Sequence, residues 1–266
     1  MNTYIMYWRL FIQFLKRDYY IRRKKFWDNF LNFSLIYPIV FGLGTAYFQA
    51  NSYFGNADIT KNTMLFAGNI ILIMMLFTYK QNIELLFDLE SKRYIDYQLT
   101  LCNPWVILSE RILFTALYTF IILVPFYPVA SLLLHSYLDM SNVSWIKIII
   151  LLFFGSFCLS AYHLFAACIL ESSMSISTLW NRANNILISF GGFWIPWFII
   201  ATYSPLLGFL IFANPCIYIT DGLKGALSQS ELFLSFDKCI LMLCFFTIVF
   251  TCTCFWAFKR KTDCVY

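Results

Sequence analysis

The chain has 266 residues, of which 61% are hydrophobic and only 12% are charged, and its net charge is +5. Soluble globular domains have about 25% charged residues, so this composition excludes a soluble protein and predicts an integral membrane protein. Each membrane crossing needs about 20 apolar residues; six crossings with short connections use up nearly the whole length and leave no separate soluble domain.

The first segment, residues 1–28, predicts an amphipathic helix that lies at the membrane surface. Aromatic and leucine side chains recur in it at helical spacing, at Tyr4, Trp8, Phe11, Leu15 and Tyr19. Basic side chains share the segment, among them Arg9, Lys16 and Arg17. Such a helix sinks its aromatic stripe into the lipid boundary and keeps its basic face in water. The basic cluster comes late and no small-residue cleavage site follows, so we do not expect a cleaved signal peptide.

Six apolar segments follow whose lengths fit membrane crossings. They are residues 29–49, 63–79, 104–134, 146–170, 186–203 and 239–258. Asn103 and Pro104 predict the N-cap and the first residue of the third helix. Prolines inside apolar segments predict bends, at Pro38 in the first and at Pro125 and Pro128 in the third.

Residues 204–228, between the fifth and sixth crossings, are too apolar to lie in water and too interrupted to cross the bilayer. Asn214 and Pro215 predict the start of a new short helix there, with Tyr218 inside it. We therefore expect a re-entrant or interfacial helical hairpin at the outer face. The predicted fold class is all-α integral membrane, with six transmembrane helices, an N-terminal interfacial helix and this hairpin between helices 5 and 6.

The basic residues predict the orientation. Fifteen of the 19 Lys and Arg residues fall in segments that share one side, which are residues 1–28, 80–111, 171–185 and 259–266. The other four fall on the opposite side, at Lys61, Lys147, Lys224 and Lys238. Cytoplasmic loops carry an excess of Lys and Arg, so we expect a multi-pass protein of the cytoplasmic (inner) membrane with both termini in the cytoplasm. Topology explains the positive charge, and no nucleic-acid partner is expected.

The interiors of the crossings, inside their polar ends, contain no Asp, Glu, Lys or Arg. Transporters driven by an ion gradient generally keep such groups in the membrane, so the work of this protein is expected to be delivered from outside the membrane. His163 follows Ser160 by three residues, but without a GxSG context the two indicate helix packing rather than a catalytic dyad. Metalloprotease and Walker motifs are absent from the sequence. We therefore predict no enzyme and no cofactor on this chain.

Two stretches resemble the permease subunit of type-2 ABC exporters, the ABC-2 family. Residues 87–113, FDLESKRYIDYQLTLCNPWVILSERIL, are similar to the family's charged inner helix followed by a Pro turn and a new helix. Residues 213–227, ANPCIYITDGLKGAL, are similar to its Asn-Pro-x-x-Tyr segment ahead of the last crossing. Arg93-Tyr94 stands where the family usually has Gly-Thr. The order of basic N-terminal helix, crossings and charged inner loop extends the resemblance over nearly the whole chain.

The resemblance implies a single permease domain that pairs with a second copy of itself, as a homodimer, or with a similar subunit. It further implies export of an amphiphile such as a lipid-linked saccharide, a polysaccharide or a drug. It also implies two copies of a separate ABC ATPase, which hold ATP and Mg and dock on the cytoplasmic side. The residues expected at that coupling surface are Glu84, Asp88, Glu90, Lys92, Arg93, Trp105, Arg9, Lys16 and Arg17. The alternative for each is a solvated charged face that only fixes topology.

Aromatic residues make up 21% of the chain, which fits either stacking along a substrate path or membrane-facing belts. The candidates for such a path are Phe77, Tyr79, Trp194 and Trp197. Two other functions fit the same topology. One is an integral-membrane enzyme acting on lipids, for which the sparse polar candidates are His163, Glu171 and His135. The other is a non-transporting assembly subunit of a membrane complex.

Overall fold

The structure is a computed structural model that describes residues 3–50, 59–91, 93–135, 143–170, 172, 175–193, 197–228 and 232–263. Within these ranges the chain is almost entirely helical and has no β-strand. The α-helices are α1 (Thr3–Arg22), α2 (Phe26–Phe30), α3 (Tyr37–Ala50), α4 (Ile59–Ser91), α5 (Arg93–Leu101), α6 (Pro104–Leu123), α7 (Phe126–Leu133), α8 (Trp145–Ile169), α9 (Ile176–Leu179), α10 (Asn185–Phe190), α11 (Trp197–Tyr203), α12 (Pro205–Leu210), α13 (Pro215–Ser228) and α14 (Phe236–Asp263). Wider π-helical turns span Leu31–Ile36 and Trp180–Asn184, and tighter 3-10 turns span Arg23–Lys25 and Ile211–Ala213.

Four helical segments of the described chain are long and apolar enough to cross a membrane. They are Leu65–Ser91, Pro104–Leu133, Trp145–Ile169 and Phe236–Thr262. A fifth crossing results if the segments Pro205–Ala213 and Pro215–Ser228, which meet at a bend of 99°, are one broken span. The all-α architecture with several membrane-length apolar helices is therefore confirmed. Length and composition identify four or five spans in the described residues, and the six crossings and the hairpin stay predictions.

Helix α8 lies at the centre of the bundle, where it packs along α14, α6 and α4. Small residues on α8 let its neighbours approach closely, as is usual between membrane helices. A Cβ added to Gly155 would lie 3.2 Å from both Ile219 of α13 and Met74 of α4. Helix α13, which follows the Asn214 cap, is therefore held inside the bundle.

Prolines shape the first and third apolar segments. The break expected in the third is confirmed, because α6 ends at Leu123 and α7 begins after Pro125, whereas Pro128 lies inside α7 without ending it. In the first segment the π-turn Leu31–Ile36 comes just before Pro38. A proline ring displaces the carbonyl four residues earlier, which accounts for the irregular turn at this place.

The fifth apolar segment differs most from the prediction. The helix expected over residues 186–203 ends at Phe190, and a turn at Gly191 and Gly192 separates it from α11. Gly192 has a φ of +79°, which only glycine adopts without strain. The inner loop expected over residues 171–185 is also wrong in part, because helical structure already begins at Ile176.

Candidate functional site

The polar end of the bundle is formed where α4 continues past its apolar part, α5 follows, and α6 begins. Asn103 caps α6 as predicted: its side-chain oxygen accepts a hydrogen bond from the N–H of Trp105 at 3.1 Å, and Pro104 occupies the first helical position. The last turns of α14 reach the same end, because Phe255 stacks on Trp105. The polar stretch is thus a chain of helices rather than a loose loop.

Helix α1 docks at the polar end. Phe14 of α1 packs with Cys102 and Ile107 in a small buried cluster. Burial raises the pKa of the Cys102 thiol, so it stays protonated and packs like an apolar side chain. The amphipathic helix predicted from the sequence therefore buries part of its apolar face against α6 rather than facing lipid alone.

Five charged residues form what we call the charged junction between α1, α4 and α6. Arg22 pairs with Glu84 at 2.6 Å, and Arg111 pairs with Asp88 at 2.5 Å. Glu110, next to Arg111 in α6 and in electrostatic contact with Arg22, is only 1% exposed, and its Oε1 atom has no hydrogen-bond partner. The junction engages Glu84 and Asp88, two residues expected at the coupling surface, in contacts within the chain.

The other residues of the predicted coupling surface are distributed differently. Those with exposed side chains are Arg9, Lys16, Glu90 and Trp105. Arg17 lies 3.2 Å from Asp18 on the same helix. Lys92 lies outside the described residues, and only the backbone of Arg93 is described, as the first residue of α5.

Exposed aromatic side chains accompany Glu90 and Trp105 at the polar end. Phe87 of α4 and Tyr97 of α5 are each exposed by half or more of their area, although the sequence did not single them out. We call Phe87, Glu90, Tyr97 and Trp105 the docking patch. Large aromatic side chains exposed on the same end of the bundle as an acidic one are typical of a surface that a protein partner covers.

A buried polar network joins α8, α4 and the π-turn Trp180–Asn184. His163 Nδ1 lies 2.8 Å from Thr78 Oγ1, and His163 Nε2 lies 3.3 Å from the amide nitrogen of Asn184. The Tyr162 hydroxyl donates to Asn184 Oδ1 at 3.0 Å. Ser160 donates instead to the carbonyl of Ile112 at 3.1 Å. His163 is thus a hydrogen-bonded packing residue, as expected, and it forms no dyad with Ser160.

One face of the helical run α9, the π-turn and α10 is polar and exposed. Its members, which we call the polar strip, are Thr178, Asn181, Arg182, Asn185 and Ser189. The opposite face is packed: the Tyr79 hydroxyl donates to the Ile176 carbonyl at 3.1 Å, and the rings of Tyr79 and Trp180 lie 5.0 Å apart. The polar residues recur every three or four positions in the sequence, which is typical of a helix face. This signal was missed because residues 171–185 were predicted to form a loop.

The four aromatic residues nominated for a substrate path do not form one surface. Phe77 is fully buried, with its ring 5.0 Å from that of Phe33. Tyr79 packs behind the polar strip, and Trp197 packs on Phe212 at 5.4 Å. Trp194 lies outside the described residues. The described members of this set are therefore packing residues, and the polar strip replaces them as the candidate lining.

At the other end of the bundle, α13 buries two charged residues that the sequence placed in an outer-face segment. Asp221 is 0% exposed and Lys224 is 1% exposed. Lys224 donates to the Gly192 carbonyl at 2.5 Å, and Thr220 donates to the Gly191 carbonyl. Neither Asp221 carboxylate oxygen makes a hydrogen bond of ordinary geometry. We call Asp221 and Lys224 the buried pair.

The buried pair corrects two expectations. Lys224 was counted among the four basic residues of the outer side, whereas its side chain is buried and donates to the Gly192 carbonyl in the turn that follows α10. The interiors of the six predicted crossings were expected to hold no Asp, Glu, Lys or Arg; the buried pair lies outside those segments in the sequence but inside the bundle in the structure, and Glu110 is buried at the polar end. An Asp and a Lys at i, i+3 in an apolar helix were the sequence signal for this pair.

The residues predicted at the start of α13 do cap it. Asn214 Oδ1 accepts the N–H of Cys216 at 2.9 Å, and its amide group donates to the Leu187 carbonyl of α10 at 2.7 Å. Pro215 is the first residue of the helix. The Tyr218 hydroxyl donates to the Phe212 carbonyl at 2.8 Å. Asn214 therefore ties the start of α13 to the last turns of α10.

Comparisons of the chain with protein-family models, with curated proteins and with solved structures found no match. The fold itself defines the class: a helical membrane protein with four or more apolar helices, compatible with several passes through the bilayer. Its distinctive features are a polar end with a docking patch, a polar strip on a broken helix, and a buried pair of opposite charges.

Proposed function

We propose that the protein is the permease subunit of an ATP-driven exporter of the ABC-2 type. It moves an amphiphilic substrate, such as a lipid-linked saccharide, a polysaccharide or a drug-like or lipid molecule, across the cytoplasmic membrane. Both termini and the docking patch face the cytoplasm. A separate ABC ATPase, present in two copies, docks there and supplies the energy, and a second copy of the permease completes the path.

The observation that carries this proposal is the polar strip. Amide, hydroxyl and guanidinium groups are costly to expose to hydrocarbon, so in membrane helices they face a partner or a water-filled cavity. The strip runs from the polar end toward the helix break at Gly191 and Gly192. It therefore suits the wall of a path that opens at the cytoplasmic side and that a second copy closes.

A substrate path lined by the polar strip requires that water reach these side chains. In membranes that contain the complex, Asn185→Cys should react with a membrane-impermeant maleimide from the side of the termini at least about tenfold faster than Leu241→Cys, whose position is exposed on α14. The wild-type chain supplies the labelling background from its own cysteines. Thiolates, the reactive form, persist in water and not in hydrocarbon. Equally slow labelling at both positions would indicate that the polar strip faces lipid, and it would exclude the proposed substrate path.

If the ATPase binds the docking patch, reversing the charge at Glu90 should weaken its binding. The chain is co-expressed with an ABC ATPase encoded in the same genome and purified through a tag on the permease. Reversing the patch charge with Glu90→Arg should reduce both the retained ATPase and the hydrolysis of ATP by about tenfold or more, because a charge opposed to its partner costs several kcal/mol at an interface. The matched control is Asp237→Arg, which reverses an exposed acidic residue at the start of α14. Values equal to wild type for Glu90→Arg would exclude the patch as the coupling surface.

A further inference from the structure

A cavity of about 560 Å³ lies at the polar end, between the start of α6 and the last turns of α14. Trp105, Phe255 and Trp256 form its aromatic walls, and Asn103 and Lys259 add polar groups. Both tryptophans are exposed, Trp105 by 53% and Trp256 by 64% of their area. The cavity therefore opens sideways, away from the bundle core.

The cavity lies at the depth of lipid headgroups. Below it, α14 exposes a continuous apolar face that includes Leu241, Phe245 and Ile248, and this face suits contact with acyl chains. Above it, α14 becomes basic at Lys259 and the residues that follow. Tryptophan side chains mark the boundary between these regions in membrane proteins, so the rims of the cavity are at the interface of the bilayer.

The charges around the cavity select an anion. Lys259 lines the cavity, and the guanidinium of Arg260 lies 5.7 Å from the centre of the Trp256 ring. Lys261 turns the other way and donates to the Leu170 carbonyl at 2.5 Å, which caps α8. Among the side chains that line this cavity, none is a carboxylate. An ammonium, an amide and aromatic edges at headgroup depth complement a phosphate that is attached to an apolar tail.

We propose that this cavity binds the headgroup of an anionic glycerophospholipid from the leaflet on the side of the termini. Lys259 contacts the phosphate, Trp105 and Trp256 flank the glycerol, and the acyl chains follow the exposed face of α14. The bound lipid bridges α6 and α14 at the edge of the docking patch, with which the cavity shares Trp105. This site does not depend on the transport function, because it is defined by the membrane interface alone.

The test uses the full chain, purified and delipidated in a mild detergent. Phosphatidylglycerol, phosphatidylcholine with the same chains, and soluble glycerol 3-phosphate are added separately, and retained lipid is counted by mass spectrometry of the intact protein. Phosphatidylglycerol should be retained about fivefold more strongly than phosphatidylcholine, the difference expected for one cation near a lipid phosphate. Glycerol 3-phosphate should not compete at equal concentration.

Variants locate the site. Lys259→Gln removes the charge but keeps a polar side chain, one bond shorter, and should abolish the roughly fivefold preference for phosphatidylglycerol. Trp256→Leu should weaken retention of both lipids. Lys238→Gln, which removes one charge at the opposite end of α14, should keep the preference. The thermal midpoint of each lipid-free variant is measured, so that a folding defect is separated from lost binding. A preference that survives in Lys259→Gln, equal retention of both lipids by the wild type, or displacement by glycerol 3-phosphate would each overturn the proposal.

Discussion

Replacing Lys224 by Met is expected to destabilise the protein by about 3–5 kcal/mol, because removing one member of a buried pair of charges leaves the other uncompensated. Asp221 has no hydrogen bond of ordinary geometry to replace the nearby ammonium. The Gly192 carbonyl also loses the donor that holds the turn after α10 against α13. The substitution therefore affects both the charge balance and the helix break.

The measurement is the unfolding midpoint of the purified protein in mixed micelles, where a loss of this size lowers the thermal midpoint by about 10 °C for a chain of this length. The double variant Asp221→Asn with Lys224→Met removes both charges and should recover most of the loss, since a buried pair is often worth little more than an uncharged replacement. Lys147→Met, at an exposed position of α8, is the control and should change the midpoint little. A loss in Lys224→Met that the double variant does not recover would show that the charge balance is not the cause.

The buried pair also changes the argument for an external energy source. The interiors of the predicted crossings carry no formal charge, but Asp221 and Lys224, which lie outside those segments in the sequence, are buried inside the bundle, so the absence of charge no longer supports an external energy source. The proposal of an ATPase partner rests instead on the docking patch and on the polar strip, which are independent of the charge count. A transport assay with this chain alone in vesicles, with and without a pH gradient, distinguishes transport driven by a proton gradient from transport driven by a partner ATPase.

Local signals predicted the elements whose cause is local. Asn103 with Pro104, and Asn214 with Pro215, mark helix starts that the structure confirms, because a side-chain cap and a fixed φ act within one turn. The break at Pro125 has the same origin. Four of the apolar segments also gave helices able to span the bilayer, since hydrophobic length is read directly from the chain.

Features that depend on distant contacts were not predictable in the same way. Glu84 and Asp88 looked like free surface charges until Arg22 and Arg111, far along the sequence, were placed beside them. Lys224 was assigned to the outer side because its partner, the Gly192 carbonyl, belongs to a helix break that cannot be predicted from hydropathy. The polar strip was divided between a predicted loop and a predicted crossing, so its periodicity went unnoticed.

The second large effect that we predict is a loss of stability when an ion pair of the charged junction is removed. Arg111→Met should destabilise the protein by about 2–3 kcal/mol, because it leaves the partly buried carboxylate of Asp88 without its charged hydrogen-bond partner. The contact between α4 and α6 at the polar end should loosen first, because the Arg111–Asp88 pair joins these two helices, whereas α1 is held by the separate Arg22–Glu84 pair. Hydrogen exchange of the amides near Arg111 in α6 should accordingly rise more than that of α8, which is held from several sides.

Two companion variants identify the cause. Arg111→Lys retains the charge but not the paired geometry of the guanidinium, so it should lose only part of the stability. Asp88→Asn combined with Arg111→Met removes both charges of the pair and should restore much of the loss. Unchanged exchange in α6 after Arg111→Met would mean that the pair does not hold α4 and α6 together. If the two helices do loosen, ATP hydrolysis with the co-expressed ATPase should fall as well, because α4 and α6 carry Phe87, Glu90 and Trp105 of the docking patch.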